Sequence, residues 1–397
     1  MLIRLGLNLP NSLILDKKTI FMKYCKKCLY PDTKPMLKFN DEGICDACTN
    51  WVKKSSIDWE SRKNELKKIA DNYRKTDGSY DCVIPVSGGK DSHAQALYAR
   101  DELGLNPLLV TFIPRDLVEL GRKNIENLKS LGFDSIEFTP NPKIYRKLAK
   151  IGLTEFGDVT WPEHHGIFII PIKIASAFKI PLVIWGENPQ YEYGGPGLGD
   201  KLDYEWLRTF GGFWLDKYSV KEVALKHEIE LKHLNPYIYP TKEQLDEMKL
   251  NSIFLFYFYK YDIYKNLEFV KKHGFSVDDR PKEGTYTNWE NLDEKYTGMH
   301  DYFKWIKYGF GRATDHASLD IRYGKISREE GVRLVKEYEG KIPLRYFDEF
   351  LKDMELDRQG FYEIVDKFAN KELFELDDAG SFKRTSDGNL ILKYYPK

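Results

Sequence analysis

Hydrophobic and polar positions along this chain change period repeatedly between two and about 3.6. Tyr80 to Val86 becomes apolar toward its end and reads as a strand. His93 to Leu103 follows, with Ala94, Leu97 and Tyr98 on one helical face and Gly104 as a C-terminal cap. Asn106 to Phe112 carries Leu108, Leu109 and Val110, the pattern of a buried strand. Asp116 to Leu131 puts Leu117, Leu120, Leu128 and Leu131 on one side of a helix closed by Gly132, and Ser135 to Thr139 is a short strand. Gly166 to Lys179 has helical spacing through Ile167, Ile170 and Ile174, and Ile180 to Trp185 is the next strand, ending in Gly186, Glu187 and Asn188. Short apolar strands alternating with amphipathic helices predict an α/β fold with a doubly wound parallel sheet. Ligands of such sheets bind beyond the carboxyl ends of the strands, so the loops after Val86 and Trp185 are expected on one rim. After about residue 240 the pattern is mainly helical. Ile253 to Tyr261 reads as an aromatic core helix, and Ser327 to Glu330 reads as a capping box. There are no internal repeats or low-complexity runs.

The length of 397 residues suits two or three domains. The reading is an extension over 1–21, a metal knuckle over 22–55, the α/β domain over 56–240 and a helical region over 241–397. Lys plus Arg and Asp plus Glu both number 61, giving zero formal net charge. That argues against holding long nucleic acid by bulk charge. The apolar run Ile253 to Tyr259 stops at Lys260, too short to span a bilayer. Met1 to Thr19 lacks a basic region followed by a clean apolar stretch and a small-residue cleavage site. The expectation is a cytoplasmic protein whose fold starts near Met22.

Four of the five cysteines, Cys25, Cys28, Cys45 and Cys48, read C-x2-C-x16-C-x2-C. Two residues between thiolates let both sulfurs face one metal, and two such turns complete a tetrahedron around Zn²⁺. Two disulfides are the alternative, and they belong to an oxidising compartment. Gly43 offers the turn before the second pair, while Lys23, Lys26 and Lys27 would offset thiolate charge. With all four positions filled by protein, the zinc is structural. Cys82 stands alone in an apolar strand, where it is a buried small hydrophobe rather than a nucleophile.

The first strand runs into Ser87-Gly88-Gly89-Lys90-Asp91-Ser92 and then a helix. The two glycines let backbone N–H groups approach an anion, and the helix dipole favours its charge. Ser87 and Ser92 add hydroxyls, and Lys90, expected as an exposed loop lysine, adds a cation. Asp91 either holds Mg²⁺ or caps the helix. The spacing is not that of the Walker loop. It resembles S-G-G-x-D-S, the pyrophosphate-binding loop of ATP pyrophosphatases, which split ATP between the α and β phosphates and adenylate a substrate oxygen. The resemblance implies the adenine nucleotide alpha-hydrolase (PP-loop) type of sheet, with ATP and Mg²⁺ as cofactors. Glu187, on the same rim, is either a second carboxylate for Mg²⁺ or substrate, or a solvated loop acid.

A narrower resemblance rests on several segments together. These are Met22 to Cys28 with Pro31-Asp32-Thr33, Gly43 to Cys48, Val86 to Ser92, and Trp185 to Asn188 followed by Glu192-Tyr193-Gly194-Gly195. The last is Gly311-Arg312-Ala313-Thr314-Asp315-His316-Ala317-Ser318, continuing through Asp320-Ile321-Arg322 to Glu330. Over roughly residues 22 to 345 the chain resembles the N-acetyl sugar amidotransferase family. That family implies conversion of the N-acetyl group of a bacterial surface-polysaccharide or flagellar-glycan sugar to an acetamidino group. Adenylation would turn the amide oxygen into a good leaving group, ammonia would add at that carbon, and AMP would leave. Lys90, Asp91 and Glu187 are the expected catalytic residues. Ser87, Gly88, Gly89, Lys90, Asp91, Ser92 and Gly186 would bind nucleotide. His165, Asn188, Tyr193, Arg312, Asp315 and His316 are candidates for the sugar substrate. Arg312, Asp315, His316 and Arg322 fit an internal ion-pair network equally well. His164 and His165 are neighbours on a helix and do not face one another, so a single hydrogen bond from one of them is expected rather than a metal pair.

A built-in glutaminase of the usual kinds needs a nucleophilic cysteine. Four cysteines are committed to metal and Cys82 lies in a strand, so ammonia is expected from a separate glutaminase subunit. The resemblance adds a cyclase-like subunit akin to that of histidine biosynthesis. The aromatic stretch Tyr296 to Phe310 is the expected docking surface, since aromatics are favoured at interface cores. No nucleic acid or membrane partner is expected. Two rival readings are a tRNA-thiolating enzyme with the same loop and a non-catalytic nucleotide-binding scaffold subunit. The first usually needs further cysteines in the body of the fold, and the second has no need to retain Ser87, Lys90, Asp91 and Ser92 together.

Overall fold

The computed structural model describes residues 22–186, 192–195, 199 and 220–397. Its centre is a five-stranded sheet in the order β3-β2-β1-β4-β5, built from β1 Cys82–Pro85, β2 Pro107–Phe112, β3 Ser135–Phe138, β4 Leu182–Trp185 and β5 Asn251–Phe254. Every pairing is parallel; Val83 lies opposite Leu108 on one side and Val183 on the other. The strands alternate between two cores, as a period of two requires. Cys82 and Ile84 face one cluster with Ala94, Leu97, Leu128, Leu267 and Val270. Val83, Leu108 and Val110 face another with Tyr145, Leu148, Ile169 and Ile172. The sheet is therefore covered on both faces, which explains why its strands are short and almost wholly apolar.

The helices that matter for the site are named in chain order. An N-terminal knuckle leads into α1 (Asp46–Lys54) and α2 (Trp59–Tyr73). Then come α3 (Lys90–Leu97), α4 (Glu119–Ser130), α5 (Pro142–Ile151) and α6 (Trp161–Ala177). The helix expected over His93 to Leu103 starts earlier, at Lys90, and widens into a π-helical turn at Tyr98–Glu102. After β4 come α7 (Val220–Lys226), α8 (Lys242–Glu247), the single turn α9 (Leu255–Phe258) and α10 (Ile263–Lys272). The C-terminal region is helical, as its pattern predicts: α11 (Thr297–Tyr308), α12 (Arg312–Arg322), α13 (Arg328–Tyr338), α14 (Phe347–Met354) and α15 (Arg358–Phe368). Ser327 caps α13 by accepting from Glu330 N at 3.1 Å.

Two expectations change. Ile253 to Tyr261 is not one helix: its first residues form edge strand β5, paired with Leu182–Trp185, and only Leu255–Phe258 turn helically. An unbroken apolar run has no period, so pattern alone does not separate a buried strand from a buried helix. The sheet consequently extends past residue 240. The aromatics from Tyr296 to Phe310 do not form a docking surface. Tyr296, Tyr302, Phe303, Trp305 and Phe310 are all buried, most of them in a core with Phe350, Phe361 and Phe374. Their aromatic content serves packing, at about 1.5–3 kcal/mol per large buried side chain.

Candidate active site and metal centre

β1 and β4 are neighbours, yet β1 leads outward to β2 on one side and β4 to β5 on the other. The crevice of such a sheet opens at this switch point, beyond the carboxyl ends of the two strands. The Ser87–Ser92 loop and Gly186 sit there because they follow β1 and β4 directly. Gly88 has φ +83, and a Cβ on it would lie 2.9 Å from Ile125 Cγ1 on α4, so only glycine fits. Gly89 is the N-cap residue of α3 and supplies no side-chain cap. Ser87 Oγ accepts from Gly89 N at 3.3 Å, while Ser92 Oγ donates to Gly89 O at 2.9 Å. The result is a tight turn ending on a helix N-terminus, the geometry of an anion cradle.

Lys90 is not an exposed loop residue. It is the first residue of α3, only 4% exposed, and its ammonium lies 4.9 Å from the centre of the Trp289 ring. Its Nζ is 2.7 Å from Asp91 Oδ2 and 2.7 Å from Glu290 Oε1. The other Glu290 oxygen accepts from His316 Nε2 at 2.6 Å, and the Thr285 and Thr287 hydroxyls face His316 Nδ1 at 2.5 and 3.1 Å. Burial alone would raise the Glu290 pKa, but Lys90, His316 and Arg312 hold it well below the usual carboxylate range. Asp91 does not cap the helix. Its Oδ1 accepts from Tyr261 OH at 2.9 Å, so both of its oxygens have protein partners.

The other sequence candidates divide between the rim and the interior. Gly186 lies at the end of β4, and its O accepts from Phe256 N at 3.1 Å. Glu187 and Asn188 fall outside the described residues. Tyr193 packs partly buried on the sheet core. His316 belongs to the Lys90 network, as above. Arg312 forks onto Asp301 at 3.0 and 3.1 Å, and Lys304 pairs with Asp315. Arg322 donates to Glu192 O and lies over the Tyr30 ring. Arg312 and Asp315 are thus ion-paired within the protein, while Arg322 meets a backbone carbonyl. His165 is buried and turned back along its own helix, with Nδ1 2.8 Å from Trp161 O, whereas His164 reaches toward Asp158.

The cysteines meet as their spacing requires. Cys25 and Cys48 sulfurs are 3.9 Å apart and those of Cys28 and Cys45 are 3.6 Å apart, with all four within 4.8 Å of one another. A tetrahedron with Zn–S bonds of ~2.3 Å has edges of ~3.8 Å, so the set fits one zinc ion. Backbone N–H groups of Lys27 and Cys45 point at Cys25 Sγ at 3.4 and 3.3 Å. Lys23, Lys26 and Lys27 are exposed. The half-buried Arg322 also acts on the thiolates: burial works to lower its pKa, but Tyr30, Cys28, Cys48 and Glu192 together raise it. The knuckle packs through Tyr30 on Phe310 and through Leu29 on Ala317 and Val335. All four ligand positions being protein, the ion would have a structural role. Cys82 is fully buried, and burial pushes its thiol pKa up, the opposite of an activated nucleophile.

Sequence reading missed Glu290 and Trp289, which reach the loop from two hundred residues away, and the Asp158–His300 pair at 3.0 Å. It also missed a set of carboxyls near the start of α6. Burial and then the Asp116 and Asp293 charges push Glu294 up to about 8, and Glu163 is also raised, by burial and then by Glu294 and Asp293. No local motif marks these residues. The only signal was their placement after the strands or beside the segment from Arg312 to Arg322.

Residues 283–386 match the family model of the LPS biosynthesis protein WbpG-like C-terminal domain. An uncharacterized protein of Methanocaldococcus jannaschii is 31% identical over 104 residues, covering 26% of this chain. The chain spans 36% of that curated relative's length. Among solved structures, NMN synthetase from Francisella tularensis is 13% identical, with 72% of this chain and 98% of that chain covered at a TM-score of 0.29. A predicted subunit of tRNA methyltransferase from Methanocaldococcus jannaschii is 20% identical, with 42% and 74% covered at a TM-score of 0.22. At these TM-scores the superpositions carry no functional reading.

Proposed function

We propose that the chain is an ATP-dependent amidotransferase that converts an N-acetyl group of a bacterial surface sugar to an acetamidino group, releasing AMP and pyrophosphate. The observation that carries this reading is the meeting of two segments. Lys90, the cation of the SGGKDS loop, is held by Glu290, and Glu290 by His316, both from the WbpG-like segment. A nucleotide loop and a segment matched to LPS biosynthesis thus share one buried charge network.

The chemistry follows from the bonds that must change. The amide oxygen attacks the α-phosphorus of ATP, and the bond from that phosphorus to the bridging oxygen breaks. Pyrophosphate departs with developing charge, which the α3 N-terminus and Lys90 stabilise. Ammonia adds at the activated carbon, AMP leaves with the former amide oxygen, and loss of a proton gives the amidine. Mg²⁺ would neutralise charge on the phosphates when bound; Asp91, in the loop itself, is the carboxylate that would hold it, and Lys90 and Tyr261 now hold both of its oxygens. Zinc would hold the knuckle. Cys82 is too buried to serve a glutaminase, which supports ammonia delivery by a separate subunit.

The test is mass spectrometry of a reaction holding the chain, ATP, ammonium and candidate N-acetylated sugars. The reading predicts AMP together with a sugar in which NH replaces one oxygen. AMP formed without any change in sugar would refute it, as would thiolated tRNA in a parallel reaction given tRNA and a sulfur donor in place of sugar.

A further inference from the structure

Neither the phosphate loop nor the cysteine cluster accounts for a second group of metal-ligating side chains. Asp158 precedes α6, His164 lies in its first turn, and His300 lies in the first turn of α11. α6 joins β4 through a link of four residues, 178–181, so the helix runs against the strands and its start lies at their carboxyl rim. We propose that Asp158, His164 and His300 form a site for a divalent first-row transition ion, with zinc as the probe.

The geometry has four parts. One ligand atom from each residue lies within 4.8 Å of the other two. Asp158 Oδ1 is 3.0 Å from His300 Nδ1, and Asp158 Oδ2 is 3.8 Å from His164 Nδ1. Zinc bonds to nitrogen and oxygen of ~2.0–2.1 Å place ligand atoms ~3.3 Å apart in a tetrahedron, between these two values. The two imidazole planes cross at 78° with centroids 5.0 Å apart, so the rings converge edge to face and do not stack in parallel.

The carboxylate is also held in place. Thr160 N donates to Asp158 Oδ1 at 3.0 Å, and Thr160 Oγ1 lies among the three groups, 2.8 Å from Asp158 Oδ1, 2.9 Å from His300 Nδ1 and 3.5 Å from His164 Nδ1, so a bound ion would replace the contacts this hydroxyl makes to the imidazoles. Asp158 is buried, with its side chain 9% exposed, while the imidazoles are 30% and 25% exposed. The protein closes one side of the site and solvent reaches the other. Two imidazoles and a carboxylate suit zinc, cobalt or nickel over magnesium and calcium, which prefer all-oxygen shells. Three protein ligands leave a coordination position for water or a substrate oxygen. The ion would also tie the start of α6 to α11, in the WbpG-like segment. The proposal stands apart from the amidine reading, because it rests only on these side chains.

The experiment is metal stoichiometry on the full chain equilibrated with zinc and then freed of loosely bound ion. Wild type should hold two zinc ions, one in the knuckle and one here. His164→Ala and His300→Ala should each hold one, with the circular dichroism of wild type. These two residues are partly exposed, so the variants avoid the folding risk of removing Asp158. Cobalt added to protein with a filled knuckle should give weak visible bands in wild type and none in His300→Ala. One zinc in wild type, or two in both histidine variants, overturns the site.

Discussion

Glu290→Gln tests whether the loop lysine depends on the C-terminal region. Glu290 bridges Lys90 Nζ and His316 Nε2 at 2.7 and 2.6 Å, with its side chain 13% exposed. Removing one partner of a buried ion pair costs about 3–5 kcal/mol, because the other charge stays desolvated. Here Lys90 keeps Asp91 at 2.7 Å and the amide oxygen of glutamine still accepts a hydrogen bond, so the expected loss is about 2–3 kcal/mol. Lys90→Met keeps a side chain of similar length and removes the charge that lies over Trp289. A cycle of the two single variants and the double variant, read by urea unfolding at pH 7, should give a coupling of at least about 1.5 kcal/mol. The sign with pH is fixed by the depressed Glu290 pKa. The stabilisation is fully present above its unfolded value of 4.5 and is lost as pH falls through the lower folded value. The difference between wild type and Glu290→Gln should therefore shrink in acid. A coupling under about 0.5 kcal/mol, or a difference that grows in acid, would refute the network.

Lys90→Met should also abolish pyrophosphate release while the chain remains folded by circular dichroism; unchanged release would remove Lys90 from the chemistry. Cys45→Ser should lose one zinc per chain and lower Tm by at least about 5 °C, since Tyr30 and Leu29 anchor the knuckle to the C-terminal helices. An unaltered zinc content would exclude the four-thiolate site. Glu294, pushed up to about 8, favours the folded state most below its unfolded value of 4.5, and that contribution is lost as pH rises to about 8. Glu294→Gln should therefore be more stable than wild type at pH 9 by a few kcal/mol, and the gain should fall below about 1 kcal/mol at pH 5; equal gains at both values would contradict the burial argument. The isolated chain should use ammonium and not glutamine, with turnover rising with pH as ammonium loses its proton. Glutamine-dependent turnover that Cys82→Ser abolishes would sink the inference of a separate glutaminase.

Local chemistry was legible in the sequence because its determinants are local. The spacing of Cys25, Cys28, Cys45 and Cys48 encodes a tetrahedron, and Gly88 between a strand and a helix encodes a backbone that only glycine adopts. The parallel sheet followed from apolar strands buried on both faces. What escaped depends on contacts across long stretches of chain. Lys90 looked exposed because nothing near it in sequence reveals that Trp289 and Glu290 fold over it. The aromatics from Tyr296 to Phe310 looked like an interface because composition does not distinguish a core from a docking face. His164 and His165 were known not to face each other, but which one points to the rim depends on where Asp158 and His300 lie.

The central claim is adenylation of an acetamido oxygen, and the most direct measurement follows that oxygen. A substrate sugar carrying a heavy-oxygen label in its N-acetyl carbonyl is incubated with the chain, ATP and ammonium, and the products are separated by mass. The account predicts that the label appears in the phosphate of AMP and is absent from pyrophosphate, with one labelled AMP for each amidine formed. Label found in inorganic phosphate beside ADP, or retained in the sugar while AMP accumulates, would contradict it.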